Sequence, residues 1–230
     1  MIGFDPMYFA FVLPGLILAG IASLMTSTTF NKYSQIRSSK GITGAEAARR
    51  LLAGAGINDV RIEQVSGFLS DHYDPGAKAL RLSPKVYGET SLSAIGVACH
   101  EAGHALQHAD GYAWLKARTA MVPAVNVSST LSYIVLMGGF FLSAFNLVLA
   151  GIILFSASVL FSLVTLPVEW DASSRAKTLM LQSGVVDRME LNSAGAVLNA
   201  AFMTYLAAAI TSLLTLLYYL WRSGLIGDRR

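Results

Sequence analysis

A 50-residue stretch from Thr119 to Val168 decides the fold, and it reads TAMVPAVNVSSTLSYIVLMGGFFLSAFNLVLAGIILFSASVLFSLVTLPV. It contains no Asp, Glu, Lys, Arg or His. As a single helix it would be about 75 Å long, whereas the apolar core of a bilayer is about 30 Å thick and is crossed by about 20 residues. The stretch therefore predicts two membrane-spanning helices joined by a short turn, at Gly138 and Gly139 or at Asn146.

Two further stretches without charge, Pro6 to Asn31 and Leu191 to Trp221, are each long enough for one crossing. Of all residues, 54% are hydrophobic and only 13% are charged, which is about half the charged share of a soluble domain. These features exclude a purely water-soluble protein. They predict four spans, at Met7 to Ser27, Val122 to Phe141, Val148 to Pro167, and Ala194 to Leu220.

The charges around the spans predict the orientation. The first span is expected to be an uncleaved anchor, because it lacks the basic start and the small-residue cleavage site of a signal peptide. Most basic residues near the span ends fall on one side, which is predicted to be cytoplasmic: Lys32, Arg37, Lys40, Lys116, Arg118, Arg175, Lys177 and Arg188. Arg222, Arg229 and Arg230 fall on the other side. The net charge is only +3, and the basic residues are scattered along the chain rather than clustered. A lipid bilayer is therefore the expected partner, and nucleic acid is not.

The spans divide the chain into six segments. We expect an N-terminal anchor (1–31), an α+β domain (32–118), a two-span hairpin (119–168), a loop or helix (169–190), a C-terminal span (191–221) and a tail (222–230). Within the α+β domain, turn and capping signals predict a helix after Thr43, a strand at Val60 to Val65, a hairpin over Asp71 to Leu82 and a helix at Leu92 to Ala109.

The last of these helices contains His100-Glu-Ala-Gly-His104, an H-E-x-x-H motif. Four residues turn a helix by about 400°, so both imidazoles leave the same face and can reach one zinc ion. Glu101 lies beside them and can take a proton from a water held by the metal. The motif predicts a zinc peptidase with Glu101 as the general base.

A catalytic zinc needs a third protein ligand. The candidates are His72, His108, Asp110, Glu169 and Asp171. Glu169 is favoured because it follows the two-span hairpin, which returns the chain to the side of the membrane that holds His100.

Other polar residues near these candidates have two interpretations each. Asp171 either orients a ligand imidazole or pairs with Arg175 one helical turn later. His72 is either close to the metal on a strand edge or simply a polar residue of the hairpin. His108 is expected on the surface or on the side that faces the substrate. His72, Tyr73 and Arg175 are unranked candidates for the donor that stabilises the oxyanion.

Four sequence motifs together resemble the YugP-like neutral zinc metallopeptidases of bacteria, over most of the chain. They are Ser70-Asp-His-Tyr-Asp-Pro75, Leu82-Ser-Pro-Lys-Val-Tyr87, His100-Glu-Ala-Gly-His104 and Leu166-Pro-Val-Glu-Trp-Asp-Ala172. More distantly, the arrangement is similar to the HtpX-type membrane proteases. The resemblance implies zinc held by His100, His104 and Glu169, with Glu101 as catalytic base, as in a gluzincin. Where many such enzymes have an Asp four residues after the ligand Glu, this chain has Ser173.

The expected protein is therefore a predominantly α multi-pass protein of a bacterial inner or plasma membrane, with four transmembrane helices and a small zincin-like α+β catalytic domain. Its expected activity is zinc-dependent endopeptidase cleavage of membrane or unfolded proteins. The alternatives are a non-catalytic zinc-binding scaffold or adaptor and an intramembrane site-2-type protease. The chain lacks a G-x-x-x-x-G-K-[ST] motif, so we expect no ATP-driven step, and we predict no particular oligomeric state.

Overall fold

The fold was obtained as a computed structural model that describes residues 5–67 and 70–226. Residues 227–230 of the predicted tail, with Arg229 and Arg230, lie outside the described part, as do residues 1–4 of the predicted anchor. Within the described residues the elements are α1 (Pro6–Ser34), α2 (Gly44–Gly54), β1 (Arg61–Gln64), β2 (His72–Asp74), β3 (Ala79–Leu82), α3 (Pro84–Gly88), α4 (Leu92–Ala109), α5 (Ala113–Phe141), α6 (Phe145–Gln182) and α7 (Arg188–Ser223).

Four helices, α1, α5, α6 and α7, are long and apolar enough to cross a membrane, which confirms the predicted number of spans. Their large apolar side chains are often exposed, as at Leu16, Ile134 and Phe141. Water-soluble proteins rarely leave so much apolar surface uncovered, whereas lipid tails solvate it. Among the described residues, helix α4 is not one of the candidate spans.

The α6 helix continues past the apolar stretch that predicted it. Pro167 ends the predicted third span, yet the helix runs on to Gln182. A proline inside a helix removes one backbone hydrogen bond and bends the chain, but it does not force the helix to stop when packing holds the following turns. Glu169 consequently lies inside a helix.

The chain folds into two compact units. The first consists of Met1–Ala22, Ala117–Leu166 and Thr204–Arg230. Its core is built from aliphatic and aromatic side chains of α5, α6 and α7: Leu136, Val148, Ile152, Phe155, Val159, Tyr218 and Tyr219. The hydroxyls of Ser162 and Ser212 add a 3.0 Å hydrogen bond between α6 and α7.

The turn of the two-span hairpin lies between the two predicted positions. It spans residues 142–144, and Ser143 has a φ of 52°. Gly139 has a different function from the predicted one, because a Cβ there would lie 2.6 Å from the backbone nitrogen of Val148. The glycine therefore permits the close approach of α5 and α6 and does not itself turn the chain.

The second unit consists of Ser23–Lys116 and Pro167–Met203. Its sheet has the order β1-β3-β2, with β1 parallel to β3 and β2 antiparallel to it. The hairpin of β2 and β3 confirms the sequence prediction, as does the helix α2 that begins after its cap residue Thr43. A single core joins the sheet to α2, α4, α6 and α7, and includes Leu51, Leu80, Ile95, Met180 and Leu198.

The α4 helix has the predicted bounds, and its first turn is capped by Ser91, whose hydroxyl accepts a hydrogen bond from the backbone N–H of Ala94 at 3.2 Å. All but four of its 18 residues are buried. Such complete burial requires that its polar side chains find partners within the protein. These side chains include Glu101 and His104 of the H-E-x-x-H motif.

Candidate metal centre

The H-E-x-x-H turn of α4 brings two imidazoles together. The ring centroids of His100 and His104 lie 4.8 Å apart, with the ring planes at 81°. His104 is buried and His100 is slightly more accessible. Positions i and i+4 of a helix lie one turn apart on one face, so the pairing follows directly from the sequence spacing.

The α6 helix adds a carboxylate to the two imidazoles. One oxygen of Glu169, Oε2, lies 3.1 Å from Nε2 of His100 and 3.6 Å from Nε2 of His104. The Glu169 side chain is almost fully buried, at 1% exposure. A carboxylate this deep in a protein requires a cationic partner.

A glycine allows α6 to come this close to α4. A Cβ at Gly103 would lie 2.4 Å from the carbonyl oxygen of Ala172, a distance that no side chain tolerates. Gly103 is the second variable residue of the H-E-x-x-H motif, and Ala172 lies one turn after Glu169. The absence of a side chain at Gly103 therefore brings the carboxylate within reach of the imidazoles.

The three side chains fit a divalent ion. One potential ligand atom from each of His100, His104 and Glu169 lies within 4.8 Å of the others. Zinc binds nitrogen and oxygen at about 2.0–2.1 Å, and tetrahedral ligands at that radius are about 3.4 Å apart. The nitrogen-to-oxygen distances of 3.1 and 3.6 Å lie on either side of that value. This donor set, two neutral imidazoles and a carboxylate, suits zinc.

The electrostatics of the cluster favour positive charge. Burial opposes protonation of His104, but the Glu169 carboxylate 3.6 Å away and the nearby charge of Glu101 outweigh burial and raise the pKa of the imidazole. The carboxylates of Glu101 and Glu169 thus favour a positive charge at the buried imidazole, either a proton or a metal ion.

Glu101 lies beside the cluster and is held by a strand. The backbone N–H of Tyr73 donates to Oε2 of Glu101 at 3.1 Å. Tyr73 pairs in register with Leu80 of β3, and β2 is an edge strand. This amide therefore points away from the sheet and toward α4. Glu101 is buried and oriented next to the imidazoles, as a proton acceptor requires.

The remaining predicted residues have hydrogen-bond partners other than His100, His104 and Glu169. The hydroxyl of Tyr73 and Nδ1 of His108 are 2.8 Å apart, so His108 contacts the strand that holds Glu101. His72 is exposed, and its Nδ1 lies 2.7 Å from the carbonyl oxygen of Ser70. Asp110 is the C-terminal cap of α4 and binds Arg175.

Asp171 lies two residues after Glu169 on α6. It accepts a hydrogen bond from Nε of Arg175 at 2.6 Å, as one of the two interpretations expected. Its second partner is the side chain of Gln107, which also contacts His104. Gln107 was not among the predicted site residues, although its position three residues after His104 places it on the same helix face.

The Nδ1 atom of His100 has a partner on α6. It lies 3.1 Å from the hydroxyl of Ser173. Ser173 lies four residues after Glu169, and its hydroxyl can accept the hydrogen of Nδ1 as a carboxylate would.

The chain is similar to known proteins over nearly its whole length. A family model described as "Putative neutral zinc metallopeptidase" matches residues 8–224. The "Putative membrane protease YugP" of Bacillus subtilis (strain 168) is 48% identical over 198 residues, which are 86% of this chain and 88% of that relative. No solved structure matches the chain. These matches confirm the resemblance indicated by the four sequence motifs.

Proposed function

The chain belongs to this family of zinc metallopeptidases, and from that premise we propose that it is a membrane endopeptidase that cleaves membrane or unfolded proteins. The observation that carries the proposal is the buried Glu169 carboxylate, 3.1 Å from His100 and 3.6 Å from His104. Burying a carboxylate against two imidazoles costs desolvation free energy, so the fold alone gives no reason for the arrangement. Zinc-dependent peptide hydrolysis, with Glu101 held beside the cluster by β2, would account for it.

In the proposed reaction, His100, His104 and Glu169 hold the ion. When bound, zinc supplies an acidified water and polarises the peptide carbonyl. Glu101 accepts the proton of the attacking water and passes it to the nitrogen of the leaving amine. The amide of Tyr73, at 3.1 Å from Oε2, keeps the Glu101 carboxylate in place for both transfers.

Tyr73 is the proposed donor to the oxyanion among the three candidates. Its hydroxyl is held by His108 at 2.8 Å, and its backbone already contacts Glu101. Burial raises the pKa of the Tyr73 hydroxyl, so it keeps its proton at neutral pH and can donate it in a hydrogen bond. Arg175 is engaged by Asp110 and Asp171, which makes it a weaker candidate.

The β2 edge and the apolar helices support the proposed substrate class. An extended peptide beside the β2 edge would be bound mainly through its backbone, with little side-chain selectivity. Such binding suits unfolded segments, and the four apolar helices anchor the enzyme where membrane proteins are found. The distribution of basic residues supports a cytoplasmic catalytic side.

The test is Glu101→Gln in the purified, zinc-loaded full chain. We expect unchanged zinc content and a loss of about 10²- to 10⁴-fold in the cleavage rate of an unfolded polypeptide. Glu46→Gln is the matched control, because Glu46 is a half-buried acid on α2 whose carboxylate pairs with Arg49 and Arg50. A zinc-binding scaffold would show no cleavage by the wild type, and full cellular function in the Glu101→Gln variant.

A further inference from the structure

Gln107 is buried completely within α4, with 0% exposure. Its side-chain amide makes three hydrogen bonds. The oxygen Oε1 lies 3.0 Å from Nδ1 of His104, and the nitrogen Nε2 donates to the carbonyl oxygen of Val168 and to Oδ2 of Asp171, each at 2.8 Å. An amide offers two hydrogens and one acceptor oxygen, so the hydrogens and the oxygen are all used.

The partners determine which way the amide faces. The carbonyl of Val168 and the carboxylate of Asp171 can only accept hydrogen bonds. The amide nitrogen must therefore face them, because the reverse orientation would put the oxygen of Gln107 against two other oxygens. Consequently the oxygen of Gln107 faces His104.

This orientation selects one tautomer of His104. Since Oε1 can only accept, Nδ1 of His104 must carry a hydrogen and donate it. The lone pair of the neutral ring is then on Nε2, the atom that lies 3.6 Å from Oε2 of Glu169. A zinc ligand needs that lone pair directed at the ion, and the hydrogen bond made by the other ring nitrogen decides its position.

The same amide also connects the two helices that supply ligands. Val168 directly precedes Glu169 in α6, so the bond from Gln107 to its carbonyl oxygen holds the backbone beside the ligand carboxylate. Asp171, which accepts the other amide hydrogen, is itself held by Arg175 at 2.6 Å. Arg175 also binds Asp110, the C-terminal cap of α4.

We propose that Gln107 is the positioning residue of the metal centre, which sets the tautomer of His104 and the distance between His104 and Glu169. The inference rests on the proposed zinc site and adds to it a residue that touches neither ion nor substrate. The positioning role is tested by the affinity of the site for zinc, which can be measured without any catalytic activity.

The experiment measures the dissociation constant of Zn²⁺ by competition with a chelator of known affinity, using the full chain in detergent. Gln107→Met keeps the length and approximate volume of the side chain and removes its polar atoms. We expect zinc binding to weaken about 10- to 100-fold, the usual cost of losing a partner of a ligand histidine. Gln107→Asn is a second test, for use should the Met variant fail to fold. Its shorter side chain keeps an amide that cannot reach all three partners, so we expect it to weaken zinc binding as well.

Ser93→Ala is the matched control. Ser93 is also fully buried in α4, and its hydroxyl donates to the carbonyl oxygen of Phe30 at 2.7 Å. Its loss removes a buried hydrogen bond from the same helix away from the ligands, so zinc affinity should stay within about threefold of wild type while stability falls.

The outcomes separate the inference from the proposed function. Zinc affinity that is unchanged in a folded Gln107 variant, or lowered as much by Ser93→Ala, would overturn the positioning role and leave the zinc site intact. A zinc affinity that does not respond to His104→Ala would overturn the proposed site and the inference with it.

Discussion

The carboxylate of Glu169 lies 3.1 Å from Nε2 of His100, although 69 positions and a predicted excursion through the bilayer separate the two residues. Through this contact, α4 and α6 both contribute side chains to the candidate metal centre. Substitutions that disturb either helix at this contact should therefore weaken zinc binding.

Glu169→Ala should abolish stoichiometric zinc binding, because it leaves two imidazoles and removes the carboxylate proposed as the third ligand. Metal content after dialysis, measured by elemental analysis, checks the prediction. Glu190→Ala removes a half-buried acid at the start of α7, which accepts hydrogen bonds from the backbone N–H groups of Ser39 and Asp187, and should leave zinc content unchanged. Stoichiometric zinc in the Glu169→Ala protein would exclude Glu169 as the third ligand.

Gly103→Ala should push α6 away from α4, because the new Cβ would lie 2.4 Å from the carbonyl oxygen of Ala172. Overpacking of this kind costs about 1–3 kcal/mol of unfolding free energy, and the displaced Glu169 should weaken zinc binding as well. Thermal unfolding and zinc titration measure the two effects.

The control for that change is Gly138→Ala, where a Cβ would meet nothing within 4 Å. It should leave both the unfolding temperature and the zinc affinity close to wild type. If Gly103→Ala behaved like Gly138→Ala, the close approach of α4 and α6 would not be needed for the site.

Tyr73→Phe should lower the cleavage rate about 10²- to 10³-fold, the usual effect of removing one oxyanion donor, with zinc content unchanged. The backbone amide that holds Glu101 is retained in this variant, so the experiment isolates the hydroxyl. Tyr87→Phe, in a partly buried tyrosine packed against the core, is the comparison. Equal rates in both variants would exclude the Tyr73 hydroxyl from the reaction.

Ser91→Ala should destabilise the protein by about 1 kcal/mol, because the Ser91 hydroxyl caps the first turn of α4 through the N–H of Ala94. The free energy of unfolding, followed by circular dichroism in detergent, is the measurement. Ser129→Ala removes a half-buried hydroxyl of α5 whose 3.4 Å bond to the carbonyl oxygen of Asn126 stays within the helix, and it should change the free energy of unfolding by less than about 0.5 kcal/mol. A neutral Ser91→Ala would show that packing alone sets the start of α4.

Local features of the fold were predictable from the sequence. The bounds of α4, Leu92 to Ala109, follow from a cap residue at one end and a glycine after the other. The hairpin of β2 and β3 follows from alternation around a Pro75-Gly76 turn. The turn of the membrane hairpin was not located, because Gly139 marks a close helix contact and the chain reverses at residues 142–144 through Ser143.

The partners of the imidazoles were the harder part of the site. The spacing of the H-E-x-x-H motif predicts that His100 and His104 share a face, and the even number of crossings favoured Glu169. Nothing in the local pattern distinguishes Gln107 from any buried polar residue of an apolar helix. Its function becomes visible only when the carbonyl of Val168 and the carboxylate of Asp171 are found against its amide.

The sequence by itself determined the number of spans, the helix that carries the H-E-x-x-H motif, and the family. Apolar length and helical spacing are properties of neighbouring residues, so they can be read without the fold. Only the tertiary structure decided how α6 passes Pro167 without ending, how closely it approaches Gly103, and which atoms hold the imidazoles. Those contacts join residues more than 60 positions apart. They depend on the packing of whole helices, which no local pattern encodes.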